Sequence, residues 1–444
     1  MNTIDTVVIG GGVSGLTAAR LLTQAGQNVV VLEARTRLGG RLWTDRTDGT
    51  ITDRGASWIH GINNSPLADL VHQLGMKTVE FTVGGYQADS RPIAHYSPDG
   101  IRLSDTEAAA YVADIHAVDA QLAELIAVSA PGTSYGEAVE ATLAQQGWDP
   151  ERTMRVREYL RHRSEEQYGV WIDDLDAHGL DDDSIDGDEV VFPDGYDVLS
   201  TRLGDGLDVR LGHKVSQVAW ADGGVTVTTD HGDFTAAQAV VTVPVGVLKS
   251  ADFKITPALP EPVAGALDRL EMNNFEKVFL RFPRKFWDDG VYAIRQQGKA
   301  GEWWHSWYDL TALHGEPTLL TFAAGPCAVA TRKWDESAIV TSIMEALQRL
   351  YGDRVPQPIQ VDITDWQDDP FARGSYAYMK VGSTPEDHDL LATPVGGVLH
   401  IAGEATWTDD PATVTAALLS GHRAARNILG REVSLSQLPD RLPR

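Results

Sequence analysis

A glycine-rich turn near the start of the chain constrains the fold more than any other feature. Residues 10–15 read GGGVSG and match the pattern GxGxxG. The turn follows the short apolar run 4–9 and precedes residues 13–25, where apolar side chains recur at helical spacing. A second apolar run, 29–32, ends in Glu33. Two continuous apolar strands around one helix predict a βαβ unit in an α/β fold, with a parallel sheet covered on both faces.

The same turn predicts a dinucleotide site. Gly10 permits the tight turn, Gly12 lets a pyrophosphate approach the backbone, and Gly15 allows the helix to pack closely on the strand. The helix N-terminus, which begins with Val13 and Ser14, supplies N–H donors and the positive end of the helix dipole.

A second block, EARTRLGGR, occupies residues 33–41. The carboxylate of Glu33, at the end of the second strand, can accept hydrogen bonds from a ribose diol. The paired Gly39 and Gly40 bring backbone close to a ligand, and Arg41 can neutralise a diphosphate with its forked guanidinium. The cofactor contacts expected from the two blocks are Gly10, Gly12, Val13, Ser14, Gly15, Glu33, Ala34, Arg35, Gly39, Gly40 and Arg41.

With these two blocks the sequence resembles the FAD-dependent amine oxidase family, which includes monoamine oxidases, polyamine oxidases and flavin-type histone lysine demethylases. The resemblance extends over nearly the whole chain and is to a single-chain member of bacterial type. It implies a Rossmann-like FAD-binding domain interleaved with an α+β substrate domain that contains a mixed sheet. The expected boundaries are 1–80, 200–275 and 388–432 for the FAD domain, 81–199 and 276–387 for the substrate domain, and 433–444 for a polar tail.

The resemblance implies further cofactor contacts. The segment DRGASWIHG, 53–61, is similar to the one that passes near the flavin ring, and AGE, 402–404, is similar to a turn at the ribityl–phosphate end. Val215 lies where the family's backbone contacts adenine. A helix N-terminus near Val414 can direct a backbone N–H toward the flavin pyrimidine oxygen. The additional residues implied are Gly55, Ala56, Ser57, Trp58, Val215, Trp366, Gly403, Glu404, Thr413 and Val414.

The resemblance also implies three catalytic residues: Lys277, Tyr376 and His60. Lys277 matches the lysine that holds a water near flavin N5, where a cation stabilises developing negative charge. Tyr376 matches the substrate-cage tyrosine that faces the flavin, and His60 falls on the side of the substrate tunnel. Thr413 stands where many members carry a second cage tyrosine. A cage with one aromatic face positions a small amine less tightly and favours a wider or longer tunnel.

Ser375 stands where the covalent monoamine oxidases carry the cysteine that bonds the flavin, and the only cysteine, Cys327, lies elsewhere. We therefore expect FAD to be bound non-covalently. One cysteine also excludes an intramolecular disulfide.

Aromatic residues are concentrated in the run WWHSWY, 303–308. If this run is a strand, residues 303, 305 and 307 share one face. We expect Trp303 and His305, with His60, Tyr376 and Thr413, to contact the substrate, while an aromatic core is an equally good interpretation. We expect no metal site, because the histidines lack the ligand spacing of metal motifs.

The net charge of the chain limits the kinds of molecule that it can bind. The chain has 37 Lys and Arg against 63 Asp and Glu, a net charge of −26. This balance argues against nucleic acid and suits a cationic amine, although solubility alone explains it as well. Nine carboxylates fall in residues 173–189, which we interpret as a solvated linker. No apolar run reaches the roughly 20 residues of a membrane span, and we expect a cytoplasmic protein, either monomeric or homodimeric.

The expected reaction is oxidation of an amine C–N bond to an imine, which hydrolyses to an aldehyde, with O2 reduced to H2O2. A polyamine or diamine is the first expectation for the substrate. A monoamine oxidase or a natural-product tailoring oxidase on the same scaffold is the main alternative. A flavin C–C desaturase and a non-catalytic FAD-binding protein are two further alternatives.

Overall fold

The computed structural model describes residues 3–82, 86, 88, 91–179 and 185–442. Its strands are β1 (Ile4–Ile9), β2 (Val29–Glu33), β3 (Thr44–Asp45), β4 (Thr52–Asp53), β5 (Val79–Glu80), β6 (Ile93–Tyr96), β7 (Val190–Val191), β8 (Val209–Leu211), β9 (Val215–Ala221), β10 (Gly224–Thr229), β11 (Gly232–Val241), β12 (Lys254–Thr256), β13 (Leu270–Met272), β14 (Phe275–Arg281), β15 (Ala293–Gln296), β16 (Ser306–Asp309), β17 (Thr318–Ala324), β18 (Gln360–Ile363), β19 (Ala377–Met379) and β20 (Leu399–Ile401). Its helices are α1 (Val13–Gln24), α2 (Pro66–Gln73), α3 (Asp105–Ala127), α4 (Tyr135–Gln145), α5 (Pro150–Tyr168), α6 (Val198–Gly204), α7 (Val245–Leu248), α8 (Val263–Arg269), α9 (Thr311–His314), α10 (Pro326–Thr331), α11 (Glu336–Tyr351), α12 (Glu386–Leu391) and α13 (Val414–Leu429).

The first large sheet is built on the predicted βαβ unit. β1 pairs in parallel with β2 on one side and with β11 on the other. The strand order is β12-β9-β10-β11-β1-β2-β8, and β20 also pairs in parallel with β11. Successive residues of β1 face opposite cores: Val8 packs with α1 residues, whereas Val7 and Ile9 pack in the core on the other face. The predicted α/β fold and the covering of the sheet on both faces are confirmed; the sheet is parallel around β1, whereas β10 runs antiparallel to β9 and β11.

The second large sheet is mixed, as expected. Its order is β18-β14-β17-β16-β15-β6, with every neighbouring pair antiparallel except β15 and β6. All seven residues of β14 are buried, and α11 packs its apolar side chains into a core shared with this sheet. Helices α3, α4 and α5 form a separate apolar core. The serine–glutamate spacings at 104–107 and 134–137 form capping boxes that start α3 and α4.

The C-terminal segment packs against α1, although its composition is polar. Leu438 is fully buried in the core beneath α1. Arg20 of α1 donates hydrogen bonds to the carbonyl oxygens of Leu438, at 2.5 Å, and Asp440, at 2.7 Å. Its described residues are therefore part of the fold around the first sheet.

The acidic stretch 173–189 differs from the predicted solvated linker. Residues 180–184 lie outside the described residues, but Asp176 and Glu189 are both fully buried. Asp176 accepts a hydrogen bond from the backbone of Gly382, and Glu189 pairs with His60. Buried carboxylates need such partners, which the linear charge pattern does not reveal.

Among the described residues, no helix combines the length and the apolar character that crossing a bilayer requires.

Candidate active site

A cavity of about 700 Å³ lies between the two large sheets. Its lining combines the glycine-rich turn after β1, the end of β2, residues of β14 and the first turn of α13. The predicted site residues that line it are Gly10, Gly12, Val13, Ser14, Glu33, Ala34, Arg35, Gly39, Gly40, Arg41, Gly55, Ala56, Ser57, Trp58, His60, Val215, Lys277, Trp366, Tyr376, Gly403, Glu404, Thr413 and Val414.

The glycines of the first turn have different surroundings. A Cβ at Gly15 would overlap the carbonyl oxygen of Gly10, so Gly15 serves helix–strand packing behind the cavity wall. A Cβ at Gly12 would meet nothing closer than the Gly39 oxygen at 3.9 Å. The space beside Gly12 is therefore open, as the approach of a phosphate to the backbone requires.

Glu33 shapes the turn at the end of β2. Its Oε2 accepts a hydrogen bond from the Gly11 amide at 2.6 Å, and its Oε1 accepts one from the Arg35 amide at 2.7 Å. Burial raises the pKa of Glu33, and these two amides oppose that shift. Each carboxylate oxygen retains a second lone pair that can accept from a ribose hydroxyl.

Arg41 connects the second block to the C-terminal turn. Its guanidinium donates to Glu404 Oε1 at 2.7 Å and to the Ser375 carbonyl at 3.0 Å. The other oxygen of Glu404 is buried and has no hydrogen-bond partner among the described residues. Arg35 instead forms a two-pronged ion pair with Asp369, at 2.8 and 2.6 Å. The open cradle at Gly12 and the unpartnered Glu404 oxygen together fit a dinucleotide cofactor.

Lys277 projects from β14 to the segment that follows β4. Its Nζ donates to the carbonyl oxygens of Asp53, at 3.2 Å, and Gly55, at 2.5 Å, and to Ser57 Oγ at 2.5 Å. It also lies 5.4 Å from the centre of the Trp58 ring. Burial lowers the pKa of Lys277 to about 8, and the Asp53 carboxylate opposes the shift. The cavity wall therefore contains a buried cation at neutral pH.

Tyr376 belongs to a row of aromatic rings on the cavity wall. Its ring lies 5.8 Å from Phe275, which lies 4.8 Å from Phe322, which in turn lies 5.5 Å from Tyr308. The Tyr376 hydroxyl donates to the backbone oxygen of Gln167 at 2.7 Å, and burial raises its pKa. These rings give the cavity an apolar, aromatic side.

His60 lines the cavity and its side chain is 44 % exposed. Its Nδ1 pairs with the buried carboxylate of Glu189, and its ring stacks on Trp58 with centroids 6.4 Å apart. A carboxylate on one ring nitrogen fixes the orientation of the imidazole.

Thr413 acts as the N-cap of α13. Its Oγ1 accepts from the Ala416 amide at 3.0 Å and donates to the Asp410 carbonyl at 2.8 Å. The helix begins at Val414, and both residues line the cavity. The positive end of the helix dipole is thus directed at the cavity.

Two residues predicted to contact the substrate lie away from this cavity. Trp303 lies outside the cavity lining and packs against Trp334, with ring centroids 5.4 Å apart, at the edge of the core beneath α11. His305 is also outside the lining and stacks on His162 at 3.6 Å. The strand β16 begins only at Ser306, so the alternation expected from residue 303 does not hold. Tyr308, on the other face of this run, lines the cavity instead.

The buried cluster His162, Glu165 and His305 has donor atoms close enough to hold a metal ion. Its two imidazoles are parallel within 3°, so their ring nitrogens do not converge on one point. Arg161 donates to His162 Nε2 at 2.8 Å, which occupies that nitrogen. The absence of a metal site stays a prediction.

Cysteine is missing from the lining residues of the cavity within the described part of the chain. Cys327 is buried in the core beneath α11, where burial raises its thiol pKa. Ser375 lines the cavity, and its hydroxyl donates to the Phe275 carbonyl at 2.5 Å.

Sequence reasoning missed several residues of the aromatic side. Phe275, Tyr308 and Phe322 line it, together with Glu166 and Gln167 near the end of α5. Glu166 is a buried carboxylate, and burial raises its pKa to about 7. The adjacent carboxylates at 165 and 166 within a helix were the only sequence signal available for this group.

Comparison with known proteins identifies relatives of the whole chain. The family model described as "Flavin containing amine oxidoreductase" matches residues 13–429. Lysine-specific histone demethylase 1 homolog 1 of Oryza sativa subsp. japonica is 32 % identical over 451 residues, covering 96 % of this chain and 52 % of the relative. The chain therefore spans about half the length of that relative. Polyamine oxidase 2 of Arabidopsis thaliana is 30 % identical over 438 residues, covering 95 % of this chain and 87 % of the relative.

Solved structures show the same fold. A structure of wild-type putrescine oxidase bound to putrescine matches with a TM-score of 0.79 at 24 % identity, covering 97 % of this chain and 99 % of that one. A triple mutant of putrescine oxidase matches with a TM-score of 0.80. Together with the family match over most of the chain, these findings establish that the chain belongs to the flavin-containing amine oxidoreductase family.

Proposed function

We propose that the chain is an amine oxidase that binds FAD non-covalently and oxidises a diamine or polyamine, with O2 as the electron acceptor. One observation carries the proposal: the dinucleotide turn, the buried cation of Lys277 and the aromatic wall at Tyr376 line one cavity.

The residues that would hold FAD are those of the glycine-rich turn, Glu33 and the Arg41–Glu404 pair. When bound, the flavin supplies the acceptor for the hydride that leaves the amine's α-carbon, and O2 is reduced to H2O2. Non-covalent binding is supported by Ser375, which stands where a covalent linkage would need a cysteine, and by the position of Cys327 in a remote core.

The chain's own residues bind and orient the substrate. Trp58, Tyr376 and the neighbouring phenylalanines exclude water from the reacting end of the cavity, which strengthens electrostatic interactions there. The Lys277 ammonium, held by three oxygens of the 53–57 segment, stabilises negative charge that develops nearby. The substrate amine must be neutral at its reacting nitrogen. The protonated substrate therefore loses a proton from that nitrogen before the hydride leaves the neighbouring carbon.

A diamine or polyamine is favoured by the shape and polarity of the site. Thr413 caps a helix and adds no second aromatic face opposite Tyr376. A half-exposed histidine paired with a buried carboxylate lies along the cavity, and the chain carries a net charge of −26. A polyamine oxidase is among the relatives that this chain covers over most of their length.

We also propose that the chain is divided into the two interleaved domains expected from the sequence. The strands of the first large sheet come from residues 4–33, 209–256 and 399–401, and those of the second come from 93–96 and 275–363. The cavity between the sheets is consistent with a cofactor on one side and a substrate on the other.

The function is tested by supplying the purified, FAD-loaded protein with 1,4-diaminobutane, spermidine, 1-aminobutane and a buffer blank in air. We expect H2O2 and aldehyde to form in equal amounts with the diamine and the polyamine. Production with 1-aminobutane alone would favour the monoamine alternative. Absence of both products with every amine would leave the tailoring-oxidase or desaturase interpretation.

A further inference from the structure

We propose that Glu166 is the anchor for the second ammonium group of the substrate. This inference rests on the proposed function, because it names the part of the same cavity that recognises the non-reacting end of a diamine. Glu166 would act as a specificity-determining residue that separates dications from monocations.

The position of Glu166 supports this role. The residue lies near the C-terminal end of α5, lines the cavity, and has a side chain that is only 5 % exposed. Its Oε2 accepts a hydrogen bond from the Tyr308 hydroxyl at 2.7 Å, and its Oε1 lies 3.4 Å from His305 Nδ1. An ammonium ion that enters the cavity would give this buried carboxylate a charged partner in addition to the hydroxyl and the imidazole that contact it.

The row of aromatic rings leads from Tyr376 to this carboxylate. The row Tyr376, Phe275, Phe322 and Tyr308 has neighbouring centroids 4.8 to 5.8 Å apart, and Tyr308 bonds to Glu166. An extended alkyl chain can pack along these rings with a cationic group at its end. Aromatic faces attract a cation in addition to the carboxylate.

Gln167 provides a second, independent observation. It lines the cavity next to Glu166, and neither its side-chain oxygen nor its side-chain nitrogen has a hydrogen-bond partner among the described residues. Buried amide groups in folded proteins are nearly always hydrogen-bonded, to a ligand or water where the protein offers no partner. The amide oxygen can accept a second N–H of an ammonium group that Glu166 binds.

The Glu166 carboxylate is faced by the Tyr308 and Ser306 hydroxyls and by the charge of Arg295. The adjacent Glu165 pairs with Arg161 at 3.5 Å. Arg295 lowers the pKa of Glu166 through its charge, and its guanidinium also lies over the ring of Tyr86, 4.0 Å from the centroid. Burial still raises the pKa of Glu166 to about 7, so these neighbours offset only part of the cost of burying its charge. A bound ammonium would favour the ionised carboxylate.

The test measures binding to holoenzyme whose flavin has already been reduced under nitrogen, so that no amine is oxidised during the titration. Calorimetry compares 1,4-diaminobutane with 1-aminobutane, which has the same carbon chain and one ammonium fewer. In the wild type we expect the diamine to bind more tightly. In E166Q the Kd of the diamine should rise at least about tenfold, while that of the monoamine changes less than about twofold.

E151Q is the matched control, because Glu151 is an exposed residue in the first turn of the same helix and its substitution makes the same change in charge. It should bind both amines as the wild type does. If E166Q does not fold, E166D replaces it: the shorter carboxylate keeps the charge, and the diamine preference should fall to an intermediate value. Unchanged diamine affinity, or an equal loss for both amines, would overturn the assignment.

The anchor role of Glu166 and the proposed function can fail independently of each other. Diamine oxidation with binding that does not depend on residue 166 would overturn the anchor and keep the function. Binding that depends on residue 166 in a protein that oxidises no amine would support the anchor and overturn the function.

Discussion

Lys277 is the residue whose surroundings most constrain the chemistry. Three oxygens of the 53–57 segment accept its hydrogen bonds, and burial lowers its pKa to about 8. The group therefore stays charged at neutral pH and loses its charge as the pH rises through about 8. A cation that is fixed in position and shielded from water stabilises a developing anion more strongly than one in solution.

The substitution K277M removes this charge and keeps a side chain of similar length. We expect amine-dependent flavin reduction or reoxidation by O2 to slow by about 100-fold, the loss typical when a positioned electrostatic group is removed. Rapid-mixing absorbance measures the two half-reactions separately. K299M is the control, because the Lys299 side chain is 93 % exposed. Wild-type rates in both half-reactions of K277M would remove Lys277 from the mechanism.

Asp53, whose backbone oxygen also accepts from Lys277, makes stability depend on pH. Burial raises the pKa of its carboxyl from 3.8 to about 6. The folded state binds this proton more tightly than the unfolded state does. The contribution of the protonated Asp53 carboxyl to the free energy of unfolding is therefore complete below the unfolded pKa and is lost as the pH rises through about 6. The free energy of unfolding of the wild type, minus that of D53N, should fall by at most about 3 kcal/mol between about pH 4 and pH 7.

Urea denaturation of both proteins across this pH range measures the difference. A difference that stays constant with pH, or that rises, would show that the Asp53 carboxyl is ionised in the folded protein throughout.

At the scale of elements, two glycines of the turn between β1 and α1 serve different purposes: Gly12 leaves room for the cofactor, and Gly15 allows α1 to pack. Gly12 has extended backbone, with φ −80° and ψ 177°, and open space beside it. Gly15 is packed against the Gly10 carbonyl. The same glycine-to-alanine change should therefore have different effects three residues apart.

G12A should fold with nearly wild-type stability as the apoprotein and should lose bound flavin, because the new methyl group occupies the phosphate cradle. G15A should lower the free energy of unfolding by about 1–3 kcal/mol, as overpacked sites do. Thermal unfolding of apoprotein and the flavin content of purified holoprotein measure the two effects. A G12A protein that retains flavin fully would contradict the assigned cradle.

The elements also show what the sequence could and could not predict. The βαβ unit and the two capping boxes follow from local rules of periodicity and capping, whereas the start of α13 near Val414 was expected from the family resemblance. In the run 303–308, Trp303 and Trp307 pack with the core beneath α11, and Tyr308 on the opposite face of β16 lines the cavity; the alternation alone does not say which face meets the cavity. Glu166 was missed because Tyr308, which donates a hydrogen bond to it, is distant in sequence and lies in the second sheet.

At the scale of the whole molecule, two sheets enclose one cavity and are joined across it by polar contacts. Arg41 donates to the Ser375 carbonyl at 3.0 Å, and Arg54 pairs with Asp362 of β18. The interleaving of the two domains along the chain could be expected only from the family resemblance. Periodicity rules do not relate residues that lie hundreds of positions apart. The net charge of −26 suits a cationic substrate but does not select one.

The central claim is that this cavity brings FAD and a diamine together for C–N oxidation. The most direct measurement mixes the FAD-loaded protein with one equivalent of 1,4-diaminobutane in the absence of O2 and records the absorbance of the oxidised flavin. We expect the band to bleach fully, to return when O2 is admitted, and the flavin to be released by acid precipitation. A flavin that stays oxidised with every amine, or one that remains attached to the precipitated protein, would contradict the account.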